Sequence, residues 1–382
     1  MVYLKIVPVF VGLYFLAHVY GHPARPSLPL CEKTIKNKNE HELWCLVADG
    51  QHLNYDEIRT YTKPLPKNVK VNVTINCIND GIIRLPWPLY ASNVVSLHVS
   101  GCINEGLLSE RTVNHGQRNE LRQVVFENIR HRVTISELHD SIVNLQNMST
   151  DYACGPSNTV VQIYKNIQYL FPKSSGSLND LILLEELMSE STVDRLTQPQ
   201  TICRYPHLRL LENSGSRSFS NFHLKTMETN QYPKLRQYSL WNNSLPRLPA
   251  EIASLQIDFL PSLTYLDLSR NELTSADFDL RGKLVKHKLL INLQNNMIRE
   301  LNSRVVTDIA KTKGVILDLR NNDQLQCSCD LFSYGDYLIS LKSNSARAVY
   351  KGITCEHNEQ GTIISHSLHD IAFRNELCKP TN

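Results

Sequence analysis

Four times between residues 233 and 329 the chain repeats one pattern: apolar, any, apolar, any, any, Asn. The asparagines are Asn243, Asn271, Asn296 and Asn322, spaced by 28, 25 and 26 residues. In the clearest copy, PSLTYLDLSRNELTSADF, Leu263, Leu266, Leu268, Asn271 and Leu273 fill all five fixed slots. Alternation over so short a run predicts a strand, with Leu266 and Leu268 on one face and Asp267 and Ser269 on the other. One such unit cannot bury its apolar face alone, so a period in the twenties predicts units that stack. The Asn falls where the chain leaves the strand. Turned inward, it can bond backbone groups that the turn leaves unpaired.

The pattern is L-x-x-L-x-L-x-x-N-x-L, and the chain resembles the leucine-rich repeat family, above all its secreted and cell-surface branch. The resemblance implies an α/β solenoid: a horseshoe with a parallel β-sheet on the concave face and disulfide-bonded end caps. Weaker copies extend it toward the N-terminus. NVTINCINDGIIRLP puts Ile75, Cys77, Ile82 and Leu85 in apolar slots. NVVSLHVSGCINEGLL offers Val94, Leu97 and Val99 as inward residues, with Cys102 in place of the Asn. LRQVVFENI supplies Leu121, Val124 and Phe126, and Leu208, Leu235 and Leu263 continue at intervals of 27 and 28. Over 130–205 the register is lost. There NTVVQIYKNIQYLFP offers Val161, Ile163, Asn166 and Phe171, and an irregular segment is expected. The expected organisation is a signal peptide over 1–21, an N-terminal cap over 22–70, repeats over 71–322 and a cysteine-rich cap over 323–382.

The ends point to the compartment. Lys5 precedes an apolar run from Ile6 to Tyr20, with the small residues Val19 and Gly21 before His22, as in a secretory signal. That run is shorter than the roughly 20 residues a membrane span needs. No later stretch is apolar enough, and the chain ends in CKPTN without an anchor, so a secreted, extracellular protein with no membrane span is expected. Ten cysteines, an even number, suit an oxidising compartment. Asn72, Asn147 and Asn242 each begin an N-x-S/T sequon and are candidate glycosylation sites.

After Asn322 the pattern changes to Cys327-x-Cys329, then Cys355 and Cys378. In CDLFSYGDYLISL the residues Leu331, Tyr334, Leu338 and Leu341 stand at helical spacing. This resembles the cysteine-rich C-terminal cap of extracellular leucine-rich repeat proteins, and 235–378 is similar to the last repeats and cap of Toll-type receptor ectodomains. That resemblance implies pairing of Cys327 with Cys355 and of Cys329 with Cys378. Zinc is the rival use of four cysteines, but C-x-C spacing and an oxidising compartment favour disulfides. Among the other six, Cys31–Cys45 and Cys154–Cys203 are the preferred pairs. Cys77 and Cys102 fall on adjacent coils and either pair or remain buried thiols.

Candidate chemistry narrows the picture further. A formal net charge of +3 gives no reason to expect a nucleic-acid partner. His41-Glu42-Leu43-Trp44-Cys45 lacks the second His of a zinc-protease helix, and no nucleophile elbow, P-loop or dinucleotide fingerprint occurs. No catalytic residue, cofactor or metal is therefore expected, and the chain does not read as an enzyme. Arg130-His131-Arg132 reads as a solvated loop. What remains is a binding surface on the outward strand positions. These carry both signs, with Arg209, Arg236, Arg270 and Arg320 against Glu212, Asp267 and Asp318. The mixture does not make the dense basic face that sulphated glycans need. Trp, Tyr and Arg dominate protein-binding hot spots, so a patch centred on Trp241, Tyr265 and Arg236 is expected, bordered by Asp267 and Arg270. The expected partner is an extracellular protein or a microbial ligand, engaged by a monomer or by a homo- or hetero-dimer. The resemblance implies extracellular recognition, in innate immunity or in development, with a decoy or modulator of a Toll-type pathway and a matrix or adhesion component as alternatives.

Overall fold

The computed structural model describes residues 30–85, 93–105, 120–134, 158–170, 205–216, 231–248, 250–253, 260–280 and 288–379. Cys154, Cys203, Asn147, Phe171 and the expected signal peptide lie outside the described residues.

The chain is a solenoid of stacked parallel strands with disulfides at its ends. Among the described residues its main sheet has 11 strands. They are β1 (Cys31–Asn37), β2 (Glu40–Val47), β4 (Lys70–Cys77), β6 (Val94–Ser100), β8 (Gln123–Glu127) and β10 (Val161–Lys165), followed by β12 (Leu210–Ser214), β13 (Gln237–Ser239), β14 (Tyr265–Asp267), β15 (Leu289–Asn292) and β16 (Val315–Asp318). They pair in that order, antiparallel for β1 with β2 and parallel from β2 onward. A second parallel sheet joins β3 (His52–Asn54), β5 (Ile82–Arg84), β7 (Ile103–Glu105), β9 (Arg130–Arg132) and β11 (Gln168–Leu170). Among the described residues, the coils of the N-terminal half thus feed both sheets, while later coils feed only the main one. Among the described residues the helices are α1 (Tyr55–Thr62), α2 (Ala250–Ala253), α3 (Ser303–Thr312), α4 (Cys329–Ser340), α5 (Asn344–Gly352) and α6 (Ile371–Leu377); β17 (Thr354–Glu359) and β18 (Thr362–Ser367) form a hairpin in the C-terminal cap.

Alternation decides what is inside. Leu266 and Leu268 are fully buried, as are Val94, Leu97, Val99, Leu121, Val124, Phe126, Leu208 and Leu235. Four sequence expectations need correction. The parallel sheet begins at Glu40, inside the stretch expected to be an irregular cap. In NVTINCINDGIIRLP Ile83 is the fully buried residue and Ile82 is half-buried, because the tight turn over 78–81 starts a new strand with its own alternation. Arg130-His131-Arg132 is strand β9 rather than a loop; His131 is buried and its Nδ1 lies 3.2 Å from Asn104 Nδ2. In β10 the register is inverted: Gln162 faces the core and Ile163 faces out, since Gln162 lies between Val124 and Leu211. A shift of one residue exchanges the faces of a strand. The core divides at this strand, into one cluster from Leu43 to Ile167 and another from Tyr205 to Phe373, with Tyr164 touching both. The Nε2 of Gln162 is buried and has no hydrogen-bond partner among the described residues.

The turns off the main-sheet strands from β6 to β16 share one left-handed position. Gly101, Asn128, Asn166, Gly215, Asn242, Arg270, Asn295 and Asn321 all have φ between 53° and 70°. Glycine and asparagine tolerate this conformation best, which explains their recurrence at the spot. The buried asparagines follow directly. Asn271 Oδ1 accepts from the N–H of Asn243 (2.9 Å) and of Leu245 (3.1 Å), both on the preceding coil. Its Nδ2 donates to the carbonyls of Leu240 (3.0 Å) and Leu268 (2.8 Å). Asn296 and Asn322 repeat the scheme one and two coils later. Asn243 reaches back to Ser216 N–H, and Ser216 Oγ accepts from Ile167 N–H, so a serine continues the ladder.

Both ends are sealed. Cys31 and Cys45 face each other across β1 and β2 and are bonded. Cys77 is bonded to Cys102 on the next coil. In the C-terminal cap Cys327 is bonded to Cys355 and Cys329 to Cys378. There the helix α4, capped by Ser328, covers the last strand. Tyr334 Oη accepts from Leu317 N–H (2.7 Å) and donates to Leu317 C=O (2.8 Å). Tyr337 Oη does the same for Gly314 N–H (3.0 Å) and Val315 C=O (3.0 Å). Two phenols thereby take the place of a twelfth strand on an edge that would otherwise be open. Burial raises the Tyr334 phenol well above its ordinary value, so it stays protonated and able to donate.

Tyr334→Phe strips a buried N–H and C=O of this partner and should lower stability by about 1–3 kcal/mol, read as a fall in the thermal midpoint. A midpoint equal to wild type would refute the edge-capping role. Gln162→Leu should act oppositely. It removes the unpaired buried amide and links the two core clusters, raising stability by about 1–2 kcal/mol in denaturant titration.

Candidate functional binding face

Opposite the core, the main sheet presents a face of ordered rows. Pairing registers place Gln237 beside Tyr265 and Leu290, and Ser239 beside Asp267, Asn292 and Asp318. The rows are fixed by the Asn ladder beneath them, because a coil cannot slip without breaking the bonds from its asparagine.

Most polar groups on this face are bonded to one another. Tyr265 Oη donates to Asp267 Oδ2 (3.0 Å), and Asn292 Nδ2 donates to Tyr265 Oη (3.2 Å) and Asp267 Oδ1 (3.1 Å). Ser269 Oγ donates to the same carboxylate at 2.7 Å. Partial burial is the main cause that pushes the Tyr265 phenol up to about 12; the nearby Asp267 charge adds to it and the Asn292 bond opposes it. The phenol is therefore a neutral donor throughout the neutral range. Arg320 holds Asp318 with both Nε (2.8 Å) and Nη2 (2.6 Å), and Gln294 Nε2 donates to it as well (2.8 Å). So enclosed, Asp318 is 1% exposed although it lies on the outward face.

Trp241 is half-buried and held from two sides. Its Nε1 donates to Glu212 Oε1 at 3.0 Å, which also accepts from Ser214 Oγ at 2.8 Å. The Arg270 guanidinium carbon lies 5.9 Å from the indole centroid, within reach of a cation–π contact. Arg270 is exposed, and among the eight residues at the shared turn position it alone is neither Gly nor Asn, with φ 55°. An arginine there costs about 1 kcal/mol or more in the backbone. Strain kept at such a position points to use.

The expected patch of Trp241, Tyr265 and Arg236 is not one cluster. Tyr265 pairs with Gln237, and Trp241 stands four residues further along that chain, about 13 Å at ~3.3 Å per residue. Arg236 sits ahead of its strand; its carbonyl accepts from Thr264 and Tyr265 N–H while its side chain is exposed. Tyr265 and Asp267 make one network; Trp241, Glu212 and Arg270 make another. Sequence reasoning placed Glu212 among the outward residues but had no signal for its tie to Trp241. Asn242, beside Trp241, is exposed, whereas Asn72 is half-buried and its Nδ2 donates to Glu40 Oε1 at 3.2 Å. No group of three or more His, Cys, Asp or Glu residues placed to hold a metal occurs among the described residues.

The fold and this face define a class: a disulfide-capped solenoid of parallel strands with a built polar surface. No family model matches the chain, and no curated protein does. Among solved structures it is similar to the crystal structure of human 5T4 (Wnt-activated inhibitory factor 1, trophoblast glycoprotein), with 16% identity over 90% of this chain and 95% of that one and a TM-score of 0.45. Likeness at that level says nothing of function.

Replacing Arg270 separates its two effects. Arg270→Ala loses the indole contact and keeps the strained backbone; Arg270→Asn loses the contact but suits the turn. The Asn variant should be more stable than the Ala variant by about 1 kcal/mol in denaturant titration. Equal stabilities would mean the turn stores no strain.

Proposed function

We propose that this is a secreted recognition protein that binds another extracellular protein, or a microbial ligand, through the outward face of the main sheet, and that it is not an enzyme. The observation that carries this reading is the Trp241 site. A large aromatic ring stands on the face, oriented by Glu212 and Arg270 and still partly open to solvent. Aromatic anchors fixed in advance lose little entropy on binding and recur as hot spots. The four disulfides among the described residues support an oxidising, extracellular location. No helix among them is long and apolar enough to cross a membrane. A place in innate immunity, as a modulator of a Toll-type pathway, rests on the resemblance of the last repeats and cap, and is the finer form of this proposal. Glycosylation of Asn242 would crowd the Trp241 site, and its exposure makes it the more accessible sequon of the two described.

The test begins with affinity purification of a partner on the mature protein from its native fluid. Trp241→Ala should then weaken binding by about 2 kcal/mol or more, roughly thirtyfold, without loss of secretion. Ser244→Ala removes the Asn242 sequon and should leave binding equal or stronger. A partner that binds Trp241→Ala with wild-type affinity would dismiss this face as the site.

A further inference from the structure

The residues just ahead of the main-sheet strands share one edge of the sheet, and backbone bonds fix their order. The N–H of Val160 donates to Arg122 C=O (2.7 Å), that of Arg209 to Val160 C=O (2.8 Å), and that of Arg236 to Arg209 C=O (2.9 Å). Arg122, Arg209 and Arg236 therefore stand in a single row at the starts of β8, β12 and β13. All three side chains are exposed. None of their guanidinium groups makes an ion pair or a hydrogen bond with a described residue. Several other arginines are paired: Arg320 with Asp318, Arg130 with Asp80, Arg84 and Arg132 with Glu105, Arg374 with Asp336.

The row is longer than its arginines. His207 and Lys234, each two residues ahead of Arg209 and Arg236, are exposed, and so is Lys288 at the start of β15. Among the described residues, the three positions ahead of each main-sheet strand from β4 to β16 carry one acid, Glu120. From Arg122 to Lys288 the edge crosses five strand steps, about 24 Å at ~4.8 Å each. The carboxylates of the neighbouring face do not answer this charge. Asp318 is enclosed by Arg320, Asp267 by Tyr265, Ser269 and Asn292, and Glu212 by Trp241, Ser214 and Lys165. Both signs alternate in the sequence, but the fold sorts them into a compensated face and a cationic edge.

We infer that this edge binds a linear, sulphated polysaccharide. A row of cations one or two strand steps apart matches a linear polyanion better than it matches a rounded acidic surface. Guanidinium forks bind the oxygens of sulphate in pairs, as they do those of phosphate and carboxylate. Such binding is driven by release of counterions and falls steeply with salt. The site is separate from the Trp241 face, so each can fail alone.

The probe is a short, size-defined heparin oligosaccharide, with polyglutamate of similar charge as the acidic-protein comparison. Both are titrated onto the mature, disulfide-intact protein over a range of salt concentrations. The variant R122Q/R209Q/R236Q should bind heparin at least about tenfold more weakly near 0.15 M salt, with a shallower salt dependence. The control R59Q/R247Q/R347Q removes the same charge from exposed arginines elsewhere and should bind as wild type. The replaced side chains are exposed, and matching thermal midpoints establish that both variants fold. Equal loss in both variants, loss in neither, or no heparin binding by wild type would overturn the proposal. So would polyglutamate binding as tightly as heparin with the same dependence on the three arginines, which would make the edge a site for acidic proteins.

Discussion

The asparagine ladder is the constraint on which the C-terminal half depends. A chain that leaves a strand and turns into the core exposes N–H and C=O groups where water cannot reach, and each one left unpaired costs about 1–3 kcal/mol. Asn271 serves four such groups with one short side chain, on its own coil and on the one before. Because it touches both, it also sets how one coil lies on the next. The rows on the outward face, and hence the neighbours of Trp241 and Tyr265, follow from this buried bond pattern rather than from contacts on the face itself.

The N-terminal half meets the same requirement by other means. The Cys77–Cys102 disulfide ties adjacent coils where an asparagine would otherwise stand. The short strands β5, β7 and β9 then supply backbone partners directly, as when Ile103 N–H donates to Gly81 C=O and Arg130 N–H to Cys102 C=O. This needs a very tight turn. At Gly81 a side chain would collide with the Val47 carbonyl, so the coils can approach only through a glycine.

These two solutions explain what could be read in the sequence. Where Leu-x-Leu-x-x-Asn recurs, alternation and the polar slot both announce the fold, and strands β13 to β16 fall where the pattern puts them. Further back the slot holds Cys102 or Ser216, residues common in many settings, and the turn is a feature of the backbone. The second sheet was therefore invisible: three-residue strands such as Arg130–Arg132 are too short to show a period, and charged residues on their outer side make them look like loops. Strand β10 misled for a different reason. Apolar Val161 and Ile163 suggest the inward set, and only the pairing of Gln162 with Val124 and Leu211 reverses it. The candidate site was legible as a list of outward residues but not as a geometry, since the bond from Trp241 to Glu212 joins residues 29 apart.

A face built from internal pairs has consequences for how it can bind. Arg320 and Asp318, or Tyr265 with Asp267 and Asn292, have little free charge to offer, and separating them would leave a nearly buried carboxylate unpaired. Their side chains are already ordered, so a partner that fits them loses less entropy on docking than one meeting a loose surface. Such a face selects by shape and by hydrogen bonds at fixed positions. The exposed arginines at the strand starts are the converse: their charge acts at a distance set by the Debye length, about 8 Å at physiological salt. One part of the molecule is suited to attract and the other to discriminate, and the same coil-to-coil register places them side by side.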